Sequence, residues 1–330
     1  GVGDMGGDVF GNGMLLSKTI ALKAAFNHMH IFLDPNPKND EKNWKERKRL
    51  FERPRSSWED YNKKLISKGG GIFSRADKSI KLSAEVKDWL SLDVNELTPN
   101  ELIKELLKAD ADLLWFGGIG TYIRAESETN ADAGDKANDA LRITGKELRV
   151  KVIGEGGNLG MTQRGRIEYA RAGGRLNTDS IDNSAGVDCS DKEVNIKILL
   201  AAALEKKKIT RDQRDVTLAK MTNEVAKIVL SDNYLQTQAI SLAQSRSSEM
   251  RTLHQGLIKT LEKDGQLDRA IEYLPSDEKF SEMASNDLGL TRPEIATLMS
   301  YAKISLFNIL MGSSFLDDPV FQPELEWGFP

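Results

Sequence analysis

Gly1-Val2-Gly3-Asp4-Met5-Gly6-Gly7-Asp8-Val9-Phe10-Gly11-Asn12-Gly13-Met14 opens the chain, with Gly1, Gly3 and Gly6 spaced as G-x-G-x-x-G and Asp4 and Met5 between the last two. In a strand–turn–helix unit the first glycine makes the turn, the second lets backbone approach a pyrophosphate, and the third lets helix pack on strand. The phosphates then sit at the helix N-terminus, where free N–H groups and the helix dipole favour negative charge. The spacing alone describes many glycine-rich turns, so its neighbours decide the reading. A helix-compatible stretch follows through Leu15, Leu16, Ile20, Ala24 and Ala25, and then His30-Ile31-Phe32-Leu33 reads as a strand ending in Asp34. An acidic residue there binds both hydroxyls of an adenosine ribose and repels the extra phosphate of NADP. Asp34 lies farther from the glycines than the ~20 residues usual for that role, and it precedes Pro35, which suits a turn equally well. Because such a loop follows a strand, the first strand of the sheet is expected upstream of Gly1.

Further apolar runs, at Gly71-Ile72-Phe73, 112–116 and 150–153, read as strands buried on both faces, as in a parallel sheet covered by helices. Thr98-Pro99-Asn100-Glu101 is a capping box with proline at the first helical position, and it opens a helix that runs into the strand at 112. Alternating strand and helix predicts an α/β fold: a Rossmann-like, doubly wound, mostly parallel sheet over 1–195. Residues 35–66 break that rhythm with Pro35-Asn36-Pro37, the charged run Lys45-Glu46-Arg47-Lys48-Arg49, and Trp44, Phe51, Trp58 and Tyr61. They read as an inserted helical segment whose charges form a solvated face, with contact to another domain or subunit as the sharper alternative.

From 196 to 330 the texture is helical and poor in glycine. Ile196, Leu199, Leu200, Ala203 and Leu204 make one stripe, and Leu218, Met221, Val225, Ile228 and Val229 a second. The capping box Thr291-Arg292-Pro293-Glu294 opens a third, through Ile295, Leu298, Met299, Ala302, Leu306, Ile309 and Leu310. At this spacing the stripes predict core-facing helices. Residues 317–330 read as a loop.

Among 330 residues, the charged fraction of 29% carries both signs and a net charge of −4, so nothing points to nucleic acid or an anionic membrane surface as partner. No apolar run approaches the ~18 residues of a membrane span. The single cysteine, Cys189, cannot form an internal disulfide, and the histidines lack zinc-type spacing. A soluble cytoplasmic protein without metal is expected.

Three further clusters fall after strands, where an open sheet places its ligands. They are Gly117-Gly118-Ile119-Gly120-Thr121, Gly154-Glu155-Gly156-Gly157-Asn158, and Asn183-Ser184-Ala185-Gly186-Val187 with Cys189-Ser190 beyond it. Glycine lets backbone approach a ring closely, and asparagine offers both a donor and an acceptor to a carboxamide or sugar hydroxyl.

These clusters resemble glutamate dehydrogenases. Gly154–Asn158 resembles the family's E-G-A-N segment and Asn183–Val187 its N-A-G-G-V segment. Ser190 falls where V-S-Y-F-E places a serine that binds the substrate side-chain carboxylate, with Glu193 on the glutamate, and Gly70-Gly71-Ile72-Phe73 resembles the G-x-I-Y hairpin. The stretch from Gly3 to Met14, Pro54-Arg55-Ser56-Ser57-Trp58 and Asn233-Tyr234-Leu235-Gln236-Thr237-Gln238 narrow the resemblance to the large bacterial NAD-dependent members, over essentially the whole chain. The resemblance implies oxidative deamination, in which L-glutamate, NAD and water give 2-oxoglutarate, NADH and ammonium. It assigns Gly1, Gly3, Asp4, Met5 and Gly6 to the pyrophosphate loop, Asp34 to the adenosine ribose, and Gly117 and Gly118 to the nicotinamide side. Asn158 and Asn183 would address the nicotinamide ribose or amide, and Ser190 the substrate. Asp191-Lys192 replaces the family's aromatic pair, and Val187 stands where a second glycine is usual.

The family's proton-transfer lysine and aspartate belong to a substrate domain N-terminal to the coenzyme domain. No catalytic residue is therefore expected here, and the chain alone is expected to be inactive; Lys68 reads as a turn lysine and Cys189 as a small buried apolar group. The full-length protein is expected to be a homo-oligomer. Two other readings remain. A leucine-, valine- or phenylalanine-type dehydrogenase is disfavoured by Ser190, whose hydroxyl suits a carboxylate side chain. A non-catalytic dinucleotide-sensing or assembly domain would lack a glycine-flanked lysine segment upstream.

Overall fold

The computed structural model describes residues 1–38, 40–314 and 317–330. They form two compact units, Gly1–Asp179 and Ser180–Pro330. The division falls earlier than the change in glycine content near 195, because one helix runs unbroken from Ser184 to Glu205 and packs on the helix that follows it.

The first unit is mixed α/β. Its strands are β1 (Ala24–Phe26), β2 (His30–Leu33), β3 (Gly71–Ser74), β4 (Ile80–Lys81), β5 (Glu96–Leu97), β6 (Leu113–Phe116), β7 (Ile123–Arg124), β8 (Ile143–Thr144) and β9 (Val152–Glu155). Its helices are α1 (Asp8–Leu15), α2 (Glu41–Glu52), α3 (Ala84–Leu90), α4 (Pro99–Leu107) and α5 (Gln163–Arg171). β6 and β9 pair in parallel from Leu113↔Val152 to Phe116↔Glu155. Val2 makes parallel bridges to both Phe26 and Phe116, so it stands between β1 and β6. The Val2 N–H reaches the Trp115 carbonyl at 2.8 Å, and the Gly117 N–H reaches the Val2 carbonyl at 2.8 Å. Val2 thus stands in line with β1 and β6 directly ahead of Gly3.

The sheet is mixed, which corrects the mostly parallel expectation. β1 pairs antiparallel with β2, and β2 antiparallel with β3. The reversal lies at Asn27, whose Oδ1 accepts from the Met29 and His30 N–H groups at 2.8 and 2.7 Å. A continuous apolar run signals burial but not strand direction, so β2 and β3 could not be told from parallel strands. Ala24 and Ala25 lie in β1, not in the helix, because α1 ends at Leu15.

The 35–66 segment also differs from a solvated excursion. Asp40 caps α2 through the Asn43 N–H, and short 3-10 turns follow at Trp58–Asp60 and Lys63–Leu65. Leu50, Trp58 and Tyr61 are buried in one core with Phe10, Met14 and Phe32, and Glu46 and Arg47 of the charged run are buried as well. A second core, around Ile31, Leu102, Ile103, Phe116 and Ile153, lies against α3 and α4.

The second unit is helical: α6 (Asp179–Asp182) leads into α7 (Ser184–Glu205), α8 (Arg211–Ser245), α9 (Arg251–Lys263), α10 (Asp277–Ser285), α11 (Arg292–Met311) and α12 (Gln322–Gly328). The boxes at Thr210/Gln213 and Thr291/Glu294 start α8 and α11. Ile196, Val225 and Val229 are buried in one cluster, and Ile240, Ile258, Ile295 and Leu298 in another. The predicted stripes are core only in part, since Leu199, Leu306 and Ile309 are exposed. No described helix is long and apolar enough to cross a membrane.

Candidate dinucleotide site

Three glycine segments of the first unit meet at the carboxyl ends of Val2, β6 and β9. Beyond the Gly117–Val2 bond, the Gly157 N–H donates to the Phe116 carbonyl at 2.7 Å. Gly3 has φ +136°, and a Cβ there would lie 2.8 Å from the Phe10 ring, so only glycine fits without strain. A Cβ on Gly157 would come within 2.8 Å of the Gly118 carbonyl oxygen. Gly118 differs: its Cβ would be 3.5 Å from the Gly3 Cα and from the Val2 carbonyl oxygen, ordinary contacts, so a side chain there would lie against the loop without a clash at its first carbon. α1 starts after Gly7, which has no side chain to cap it. This is a cradle of backbone into which a flat or phosphorylated group can come close, and its residues fit a dinucleotide.

The segment at 35–66 supports that cradle. The Trp58 indole N–H donates to the Gly3 carbonyl at 3.0 Å in a fully buried contact. The indole stacks on Phe32 with ring centroids 4.8 Å apart and meets Phe10 edge-on at 6.0 Å. Asp4 accepts from the Gly7 N–H at 3.0 Å and from the Asn27 side-chain amide at 3.1 Å.

A buried ion pair holds the third glycine segment. Glu155, at the end of β9, receives the Arg166 guanidinium on both oxygens, at 2.7 and 2.8 Å. Arg166 also lies 3.2 Å from Asp179, whose carboxylate accepts the Leu159 N–H at 2.8 Å. Burial opposes the charge on Arg166, but its bonds to Glu155 and the field of Asp179 outweigh it and hold its pKa above the ordinary value. The turn 156–160 is therefore tied to α5 from below.

The structure brings Gly1, Gly3 and Gly117 around Phe10, with Gly118 beside Gly3 and Gly157 against Gly118; Gly6 lies against Ser56, and Asn158, next in sequence to Gly157, is exposed. The Met5 side chain is buried in the core, leaving only its backbone to a ligand. Asp34 is misplaced for the ribose. It ends β2, which runs against β1, and its N–H bonds the Lys23 carbonyl at 2.7 Å, at the start of β1. That is the opposite end of the sheet from the glycine loop. Its buried carboxylate accepts from the N–H and hydroxyl of Ser67. Lys68 is exposed and paired with Glu85. Asn183 and Ser190 lie in the second unit: Asn183 is the N-cap residue of α7, and Ser190, exposed, follows seven residues later on the same helical face. Cys189, read as buried, is half-buried against the Ile196 cluster. Sequence reasoning missed Asn27, Trp58 and Arg166. A turn asparagine, an aromatic in a charged segment and a helical arginine carry no local mark of their partners.

An open cavity of about 690 Å³ lies at the other end of the same strands, lined by Asp112, Val150, Lys151, Tyr169 and Arg175. It sits at strand amino ends, away from the glycine segments.

A dinucleotide-type cradle on a mixed α/β unit, followed by long helices, defines a class, and comparison with known proteins narrows it. The family model for the bacterial NAD-glutamate dehydrogenase catalytic domain matches residues 1–243, and that for the glutamate dehydrogenase C-terminal region matches 287–330. The chain belongs to the bacterial NAD-glutamate dehydrogenase family. Over its full length it is 55% identical to the NAD-specific glutamate dehydrogenase of Pseudomonas aeruginosa and 53% identical to that of Halomonas elongata. Identity to the Mycobacterium tuberculosis protein of the same name is 49%. The chain spans about a fifth of the length of these relatives.

Proposed function

We propose that this chain supplies the NAD-binding part of an enzyme that oxidatively deaminates L-glutamate to 2-oxoglutarate and ammonium. The first unit, in this reading, is a Rossmann-like doubly wound fold elaborated by the β1–β2–β3 hairpins and the 35–66 segment. The observation that carries the proposal is the convergence of the three glycine segments at the carboxyl ends of Val2, β6 and β9. Open α/β sheets bind ligands at that edge. NAD, when bound, supplies the hydride acceptor. The chain's own residues bind and orient: Gly1 and Gly3, whose N–H groups bond the Ala24 and Phe26 carbonyls, and Gly6 admit the pyrophosphate by lacking side chains, the α1 N-terminus takes its charge, and Gly117, Gly118 and Asn158 line the nicotinamide side. Such positioning contributes to rate by holding reactants in attack geometry. Asn183 and Ser190 are carried as proposed nicotinamide and substrate contacts of the second unit, which also follows from their match to family motifs. The names of the relatives support NAD as cofactor.

The test uses the full-length enzyme with Gly118→Val. A Cβ there makes only ordinary contacts with Gly3 and Val2, and the valine methyls would take up space in the cradle, so NAD affinity should fall at least about tenfold with the melting temperature little changed. Unchanged NAD affinity would remove the site. Assay of the parent on glutamate and leucine decides the substrate, and leucine preference would sink the glutamate reading.

A further inference from the structure

The displacement of Asp34 leaves the adenosine ribose of the proposed NAD site without its expected acceptor, and the strand topology supplies another. β1 lies beside Val2 and runs parallel to it, so the chain leaves β1 at Asn27, on the glycine-loop side of the sheet. In a dinucleotide fold that exit is where the ribose is recognised. Asn27 itself cannot take an acid's role. Its Oδ1 already accepts two backbone N–H groups, which fixes the amide orientation and points Nδ2 at Asp4. The loop carboxylate of Asp4 thus lies against the strand exit, held between two donors, the Gly7 N–H and the Asn27 Nδ2–H. A carboxylate, an acceptor only, satisfies both; an amide would face one of them with its own donor. Each oxygen keeps lone pairs for further donors, and Asp4 is only partly buried.

We infer that Asp4, positioned by Asn27, is the carboxylate that faces the adenosine ribose and discriminates against a ribose phosphate. The inference rests on the NAD-site reading and deepens it. The neighbouring cation, Arg75, does not offset the charge directly: its guanidinium bonds the Asn27 carbonyl at 3.1 Å and the Asn100 side chain at 3.5 Å. His28 is exposed next to Asn27, and Asp8 in the first turn of α1 bonds Asn12.

The experiment measures equilibrium dissociation constants of NAD and NADP for the full-length enzyme at low and high salt. Wild type should prefer NAD, less strongly at high salt, because a charge-based discrimination is screened. Asp4→Asn should reduce the NADP-to-NAD ratio of dissociation constants by about tenfold or more, the scale expected for removing one carboxylate a few ångströms from a phosphate. Asp34→Asn should leave the ratio unchanged. Asn27→Ala, which keeps the charge, should weaken NAD yet retain a preference for it. Should Asp4→Asn fail to fold, Asp4→Ser, which still accepts from the Gly7 N–H, is read in the same way. A wild-type ratio in the Asp4 variant, or a collapsed ratio in Asp34→Asn, overturns the inference while leaving the NAD site standing. A wild-type enzyme that binds neither dinucleotide overturns the site reading itself.

Discussion

Replacing Trp58 with Phe tests how the 35–66 segment serves the glycine loop. The substitution keeps an aromatic ring against Phe32 and Phe10 but removes the indole N–H from the Gly3 carbonyl, a 3.0 Å bond in a fully buried setting. Leaving a buried carbonyl without a partner costs about 1–3 kcal/mol. The smaller ring adds a packing loss of about 1 kcal/mol. The carbonyl can regain water only if the loop moves, so the cost falls on the loop conformation that is competent to bind. Apparent affinity scales with the fraction of competent protein, and every 1.4 kcal/mol is tenfold. The expected result in the full-length enzyme is NAD bound roughly ten- to a hundredfold more weakly, with the KM for glutamate little changed. Hydrogen exchange of a peptide covering residues 1–14 should accelerate in parallel. Tyr61→Phe is the control, because it alters the same aromatic cluster but loses only a long 3.4 Å bond to Asn43. An NAD dissociation constant within about twofold of wild type, or an equal loss in Tyr61→Phe, refutes the clamp.

Two further outcomes concern stability. Removing one partner of the buried Glu155–Arg166 pair, as in Glu155→Gln, should cost about 3–5 kcal/mol, whereas Glu155→Met with Arg166→Met should cost less than the two single changes added; denaturant unfolding of the single and double variants checks this, and strict additivity would contradict it. His254 is buried with Nδ1 unpartnered, and burial lowers its pKa below 6.5. Its native state resists protonation while the unfolded chain does not, so stability is present above pH 6.5 and declines as pH falls toward the lowered native value. His254→Leu should flatten that decline between about pH 7.5 and about pH 5.5 in thermal melts, and an identical pH slope in variant and wild type would exclude the histidine.

Much of the architecture was legible because it is local. The capping boxes at Thr98 and Thr291 and the apolar runs at His30–Leu33 and Leu113–Phe116 depend on a few neighbouring residues, and the elements stand where those signals place them. The glycine clusters were legible for the same reason, since close approach of backbone can be met only by residues without a side chain. What the local signals lack is direction and partner. Nothing in His30–Leu33 says that the strand runs antiparallel to β1, yet that single fact moves Asp34 to the far end of the sheet and brings Asn27 to the near one. Nothing in a charged segment says that Trp58 reaches back fifty-five positions to Gly3.

By itself, then, the sequence determined a glycine-lined loop, an α/β first part and a helical second part, because spacing and side-chain size act over a few residues. Only the tertiary structure decided which groups surround that loop. Strand direction and long-range pairing are set by the packing of the whole unit, and they put the carboxylate of Asp4, not that of Asp34, beside the exit of β1.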